Sequence, residues 1–245
     1  MNIGKSVSQV KRTELKYFIS EVDVDRIKVI LNSLLISDKN NLDQDGYVIS
    51  SVYFDTLHDD DFNQKLDGIM FREKYRIRIY NNNIEFGKFE IKRKLNNAIE
   101  KLSVNINKEE ILLMISGDFS PLEKHKSVAY AGERMKCKGY VAKNIVTYNR
   151  VAFYLPFNNI RVTLDLDLRS HGFATDLSKI KTLPVISLQA KGYEILEIKY
   201  EGDFPDFIRS VLSNFRTIRS SISKYGLSRI DSNSEIHGDD PFIPF

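Results

Sequence analysis

The stretch Lys74-Tyr75-Arg76-Ile77-Arg78-Ile79-Tyr80 decides the fold of this 245-residue chain. Charged and apolar side chains alternate along it with a period of two, the spacing that sends them to opposite faces of a β-strand. Working outward, the same pattern recurs. Glu90 and Lys92 oppose Phe89 and Ile91, and Arg161, Thr163, Asp165 and Asp167 oppose Val162, Leu164, Leu166 and Leu168. Glu197 and Lys199 oppose Leu196 and Ile198, and Glu14 and Lys16 oppose Leu15 and Tyr17. Eight strands are expected, over 12–18, 47–55, 74–80, 84–94, 101–106, 145–155, 161–168 and 193–200, separated by turn signals such as Asn81-Asn82-Asn83 and Asn96-Asn97. The expected class is mainly β (α+β), a closed eight-stranded antiparallel barrel forming a tunnel with helices packed outside.

Those helices are read over 20–35, capped by Ser20 with Val24, Ile27, Ile30, Leu31 and Leu34 on one face, and over 111–115, opened by Asn107. Two more are expected over 122–136 and over 206–215 after Pro205. The chain reads as one domain, 1–245, with 230–245 as a tail, flexible or docked on a neighbouring chain.

One strand with a polar face is ordinary, since a solvated sheet surface explains it. The composition of this face is less ordinary. It carries eleven basic residues (Arg12, Lys16, Lys74, Arg76, Arg78, Lys92, Lys94, Lys101, Arg150, Arg161 and Lys199) and six acids (Glu14, Asp55, Glu90, Asp165, Asp167 and Glu197), where a wet face draws mainly on Ser, Thr, Asn, Gln and Lys. If the sheet closes, these cations share a confined space and repel one another unless acids or a polyanion compensate. Phosphate is the natural ligand: Arg grips it through a planar fork and Lys adds mobile charge. Carboxylates set among the cations point to oxygen-ligated Mg²⁺ or Mn²⁺.

Composition narrows the rest. With 42% hydrophobic and 28% charged residues the chain is globular. A net charge of +3 does not by itself argue for a nucleic-acid partner, and the basic faces lack the interleaved aromatic platform of a single-strand binder, so no nucleic acid is expected. Cys137 is the only cysteine and the four histidines are scattered, which excludes intrachain disulfides and speaks against zinc. No stretch approaches the ~20 apolar residues of a membrane span. The expectation is a soluble, cytoplasmic protein.

Nine segments, in order along nearly the whole chain, resemble the triphosphate tunnel metalloenzyme (CYTH-like) superfamily and, within it, the VTC-type polyphosphate polymerase domain. They are R-x-E-L-K-Y at 12–17, S-V-Y-F-D at 51–55, Y-R-I-R-I-Y at 75–80, F-E-I-K-R-K at 89–94, E-K-L-S-V at 100–104, Y-N-R-V-A-F at 148–153, R-V-T-L-D at 161–165, L-E-I-K-Y at 196–200 and S-K-Y at 223–225. The superfamily usually opens with E-x-E-x-K; Arg12 stands at the first acid, a departure that resembles the polymerase branch. The resemblance implies Lys16, Arg76, Arg78, Lys92, Arg161 and Lys199 as catalytic residues acting on phosphate. It implies Lys101, Arg150 and Lys224 as further phosphate ligands, with Tyr53, Tyr148 and Tyr225 as possible hydroxyl donors. Glu197 is the implied metal ligand, with Glu14, Asp165, Glu90 and Asp167 as weaker ones, pairing with neighbouring cations being the competing role for Glu90, Asp165 and Asp167. Lys74 and Lys94 are read as rim residues. The implied partners are ATP and inorganic polyphosphate or pyrophosphate, with Mn²⁺ or Mg²⁺ as cofactor. The implied activity is transfer of the ATP γ-phosphoryl group to a growing polyphosphate. A triphosphate hydrolase of the same fold and a non-catalytic polyanion-binding module remain the alternatives.

Overall fold

A computed structural model describes residues 12–95, 98–188 and 192–230. The strands are β1 (Arg12–Ser20), β2 (Ile36–Ser37), β3 (Tyr47–Thr56), β4 (Phe71–Tyr80), β5 (Asn83–Leu95), β6 (Ala98–Asn107), β7 (Tyr140–Leu155), β8 (Ile160–Ser170), β9 (Ile186–Ser187), β10 (Tyr193–Glu201) and β11 (Thr217–Arg219). The helices are α1 (Val24–Leu34), α2 (Asp60–Leu66), α3 (Lys108–Ile115), α4 (Ala129–Cys137), α5 (Asp206–Leu212) and α6 (Lys224–Ile230). The eight strands expected from alternation are present, joined by the short β2, β9 and β11. The tail expected at 230–245 lies outside the described residues, except for Ile230 at the end of α6.

All pairings are antiparallel and form one sheet in the order β11-β1-β10-β8-β7-β3-β4-β5-β6, with β2 on β7 and β9 on β8. The sheet is open, which corrects the closed eight-stranded barrel. Among the described residues no ladder joins β6 to the far edge, where β11 takes the outer side of β1 at Tyr17–Ile19. Alternation fixes which face a side chain takes and leaves the edges undetermined.

The sheet is nevertheless strongly curled. Strands β1 and β5 are six steps apart, about 29 Å on a flat sheet at ~4.8 Å per strand. Yet Lys92 Nζ on β5 lies 3.4 Å from Glu14 Oε2 on β1. Side chains close the gap that backbone pairing leaves.

The convex face carries two apolar cores. Ile111 and Met114 of α3 with Ala131 and Met135 of α4 cover Tyr75, Ile77, Ile79, Phe89 and Ile91. Val24, Ile27 and Leu31 of α1 with Ile208 and Val211 of α5 cover Val162, Leu164, Leu196 and Ile198. Asn107 opens α3 with a full capping box to Glu110, as its sequence predicts. Ser20 makes no side-chain cap, and a 3₁₀ turn at Glu21–Asp23 precedes α1. The helix expected over 122–136 begins only at Ala129.

A third cluster fills part of the concave side, and there the placement of every helix outside fails. Tyr225 of α6 stacks on Tyr53 of β3, with ring centroids 5.1 Å apart, and packs with Ile49, Tyr148 and Leu168. Helix α2 lies across the same end, Phe62 meeting Tyr225 edge-on. Asp55 fixes both helices. Its carboxylate accepts the backbone N–H groups of Thr56, Asp61 and Phe62 and the Tyr225 hydroxyl, so it caps α2 and anchors α6.

Candidate functional site

Strands β1, β4, β5, β7, β8 and β10 present their even-spaced polar positions to the concave side, and α6 adds Lys224. Four carboxylates organise what gathers there. Glu90, 2% exposed, holds Arg76 through Nε and Nη2 at 2.7 and 2.6 Å, Arg78 Nε at 3.8 Å and Lys101 Nζ at 2.5 Å. Asp165, fully buried, takes Arg150 bidentately at 2.6 and 2.7 Å and Lys224 Nζ at 2.6 Å. Glu14 contacts Lys16, Lys92 and Lys199 at 3.2, 3.4 and 3.9 Å. Glu197 contacts Lys16 at 3.6 Å and pairs with Lys199.

Eight cations thus surround four carboxylates, and four positive charges remain over. Burial on its own would raise the pKa of each acid, but the cations outweigh it: Asp165 is lowered to about 2, and Glu90, Glu197 and Glu14 are also held below the ordinary carboxylate value. All four are anions at neutral pH, so the surplus persists. Burial likewise would lower Lys16, yet Glu197 and Glu14 keep its ammonium above the usual lysine value.

Two tyrosines border this net. Arg76 Nη1 donates to the Tyr53 hydroxyl at 3.2 Å, and Arg78 Nη2 to the Tyr148 hydroxyl at 3.5 Å. Against the effect of burial, Arg150 and Arg78 pull the Tyr148 phenol below its usual pKa, which strengthens it as a donor to an anion. Tyr225 gives its hydroxyl to Asp55 instead. Arg161 stands apart, paired with Asp38 at 3.0 Å and donating to the Tyr47 hydroxyl at 3.4 Å.

Asp167 leaves the concave face. It sits in a β-bulge with φ of +52°, and its carboxylate meets Arg169 at 3.1 Å. The extra residue shifts the alternation by one, so Leu168 turns inward in its place. Asp165 has both oxygens taken by cations, the pairing role foreseen as the alternative to metal binding.

Among the described residues no three His, Cys, Asp or Glu side chains gather as a cation cage. Glu14 and Glu197 do lie on neighbouring strands with Lys16 and Lys199 between them, in the registers Glu14↔Lys199 and Lys16↔Glu197. Two ionised carboxylates are oxygen donors of the kind a hard divalent cation takes, with the rest of its shell coming from outside the protein.

The VTC domain family matches residues 11–230. The chain belongs to that family. None of the curated proteins compared with it matches. Among solved structures it is similar to a protein of Pyrococcus horikoshii OT3, at 14% identity over 89% of this chain and 97% of that one, with a TM-score of 0.46. It is also similar to a candidate adenylate cyclase of Vibrio parahaemolyticus, at 12% identity over 89% and 98%, with a TM-score of 0.48.

In this VTC domain, two contributors escape sequence reading because they lie outside the alternating strands: Asp38, in the loop after β2, and Lys65, on the seven-residue α2. Burial, and after it the charges of Arg72, Lys16 and Lys94, lower the pKa of Lys65. Lys74, expected at a solvated rim, is instead half-buried. No carboxylate among the described residues lies within ion-pair distance of it, and its ammonium stands 5.4 Å from the Tyr225 ring centre. Burial pushes its pKa down to about 8 against the opposing pull of Asp61.

That shift has a testable sign. An anion beside Lys74 favours the protonated form, so binding at pH 8 takes up a proton, and affinity falls as pH rises through 8. Calorimetry of tripolyphosphate binding at pH 8, in two buffers of different ionisation enthalpy, should show uptake of about half a proton that is lost in Lys74→Met. Equal uptake by the variant would remove Lys74 from the site.

Proposed function

We propose that this chain is a polyphosphate polymerase: it transfers the γ-phosphoryl group of ATP to the end of an inorganic polyphosphate held in the curled sheet. The observation that carries the proposal is the surplus of four positive charges over Glu14, Glu90, Asp165 and Glu197 in a partly desolvated interior, a surplus that a polyanion neutralises.

Phosphoryl transfer asks a protein mainly for alignment and charge stabilisation. In this reading Arg76 and Arg78, oriented by Glu90, donate to the oxygens of the transferring group. Lys16, Lys92 and Lys199 hold the flanking phosphates, with Lys101, Arg150, Lys224 and Arg161 spreading the positive field along the chain. The bond from the γ-phosphorus to the β-bridging oxygen breaks as a bond forms to a terminal polyphosphate oxygen, and ADP departs with the electron pair. That terminal oxygen is already ionised, so no strong general base is required. Glu197 and Glu14 would hold a Mg²⁺ or Mn²⁺ together with the phosphates, supplying Lewis-acid charge neutralisation.

Purified protein incubated with ATP and Mn²⁺ should yield long phosphate chains on a gel. Free phosphate without chains would assign a hydrolase, and polyphosphate binding that persists in EDTA without turnover would assign a binding module.

A further inference from the structure

Outside the curl, β4, β5, α2 and α4 enclose a pocket of about 180 Å³ at the end of the sheet where β4 begins and β5 ends. It lies at the rim, with Glu73 and Arg93 of convex parity and Arg72 and Lys94 of concave parity in its lining, and no residue of the four-carboxylate net lines it. Arg72, Arg93, Lys94, Arg134 and Lys138 line it, and among the described residues carboxylates pair with Arg93 and Arg134 but not with Arg72, Lys94 or Lys138. The buried Glu73 anchors its wall, accepting from Tyr75, from Arg93 Nε at 2.5 Å and from Arg134 Nε at 3.3 Å. This repeats the device of Glu90, a buried carboxylate that orients two guanidinium groups; Arg93 also donates to Glu100 and to the Tyr130 hydroxyl. Asp60 and Asp61 also line the pocket. Burial and the neighbouring Asp55 push Asp61 up to about 7, so near neutrality it carries only part of its charge.

The pocket is continuous with the interior through its cations. Arg72 and Lys94 are partners across the β4–β5 ladder and share strand parity with Lys74 and Lys92 further in. Burial first, then the charges of Arg72, Lys16 and Lys94, lower the pKa of Lys65, which thus shares the field of the pocket and of the interior. Positive charge therefore extends from Lys74 and Lys92 of the interior to Arg72 and Lys94 at the strand ends, where Arg134 and Lys138 join the same pocket.

We propose that this pocket is a second oxyanion subsite, which takes phosphate groups of an extended polyphosphate whose other end lies inside the curl. The inference rests on the reading of the interior as a polyphosphate site and adds a route for the chain leaving it. A short anion fills the interior alone, whereas a long chain engages both.

The test compares the wild type with Arg134→Ala/Lys138→Ala, two partly exposed positions outside both apolar cores, in metal-free buffer with EDTA. Affinities for tripolyphosphate, long-chain polyphosphate and inorganic phosphate are read by calorimetry, with thermal melts confirming the fold. Long-chain affinity should drop about tenfold, the size expected from losing charge-assisted contacts, with tripolyphosphate unchanged. If the variant has lost stability, Lys138→Ala alone should show the same selective drop. Wild-type affinity for every ligand would overturn the pocket and leave the interior reading intact. Equal losses for short and long chains would also overturn it, as would a loss confined to inorganic phosphate. A wild type that binds neither chain would sink the interior reading itself.

Discussion

Replacing Glu90 by Gln should lower the melting temperature by roughly 10 °C at low salt, and added tripolyphosphate should restore most of the loss. Glu90 is almost wholly buried and balances Arg76, Arg78 and Lys101. Removing one partner of a buried ionic cluster leaves the others uncompensated, at a cost of about 3–5 kcal/mol. In a chain of this size each kcal/mol moves the midpoint by about 2–4 °C. Gln preserves volume, so no cavity contributes. Because the folded pKa of Glu90 lies below its ordinary 4.5, its stabilisation is complete above about pH 4.5 and disappears only in strong acid. The penalty of the variant should therefore be full at pH 7. A bound polyanion replaces the missing charge, so the shift that tripolyphosphate gives the variant should exceed the shift it gives the wild type. An unchanged melting temperature would mean that these cations are solvated and that the interior is not desolvated as described. A lowered temperature that no polyanion restores would leave the cluster structural and remove its link to phosphate.

The sequence makes the strands and their two faces legible because alternation is a local, short-period signal, and Arg76, Arg78, Glu90, Lys92, Glu197 and Lys199 all lie where it places them. What escapes is set by contacts between distant segments. Whether β6 meets the other edge depends on β11, three residues with no pattern of their own. Position 167 breaks parity through a bulge that no charge pattern announces, and so removes Asp167 from the face that Asp165 keeps. Asp55 reads as one more acid on that face, yet its backbone partners lie up to seven residues downstream and its side-chain partner is Tyr225. Lys74 has the spacing of a rim residue but is half-buried beside Tyr225 of α6, an element too short to show a period. Closure and convergence are also separable. A flat wet sheet would hold these cations apart, whereas an open sheet curled tightly enough to join Lys92 to Glu14 gathers them on one concave side.

Arg76→Ala should cost about 100-fold or more in turnover while leaving the fold intact, and Arg76→Lys should recover only part of it. The contrast with Glu90 lies in what each change strands. Without Arg76, Glu90 still holds Arg78 and Lys101, so no buried charge is orphaned. The convex neighbours Tyr75 and Ile77, which carry β4 into the core, are untouched. The transferring phosphoryl group loses a fixed fork of donors, and removing one preorganised donor from a developing oxyanion costs about 10²–10³ in rate. Lysine keeps the charge but neither the bidentate geometry nor the bond to the Tyr53 hydroxyl, so it should support binding better than turnover. The double variant Arg76→Ala/Glu90→Gln sharpens the assignment: its activity should fall no further than that of Arg76→Ala alone, because Glu90 acts on the transferring group through the guanidinium it orients. Additive losses would mean that Glu90 reaches the phosphoryl group by another path, and an Arg76→Ala enzyme within a few-fold of wild type would remove the residue from the reaction.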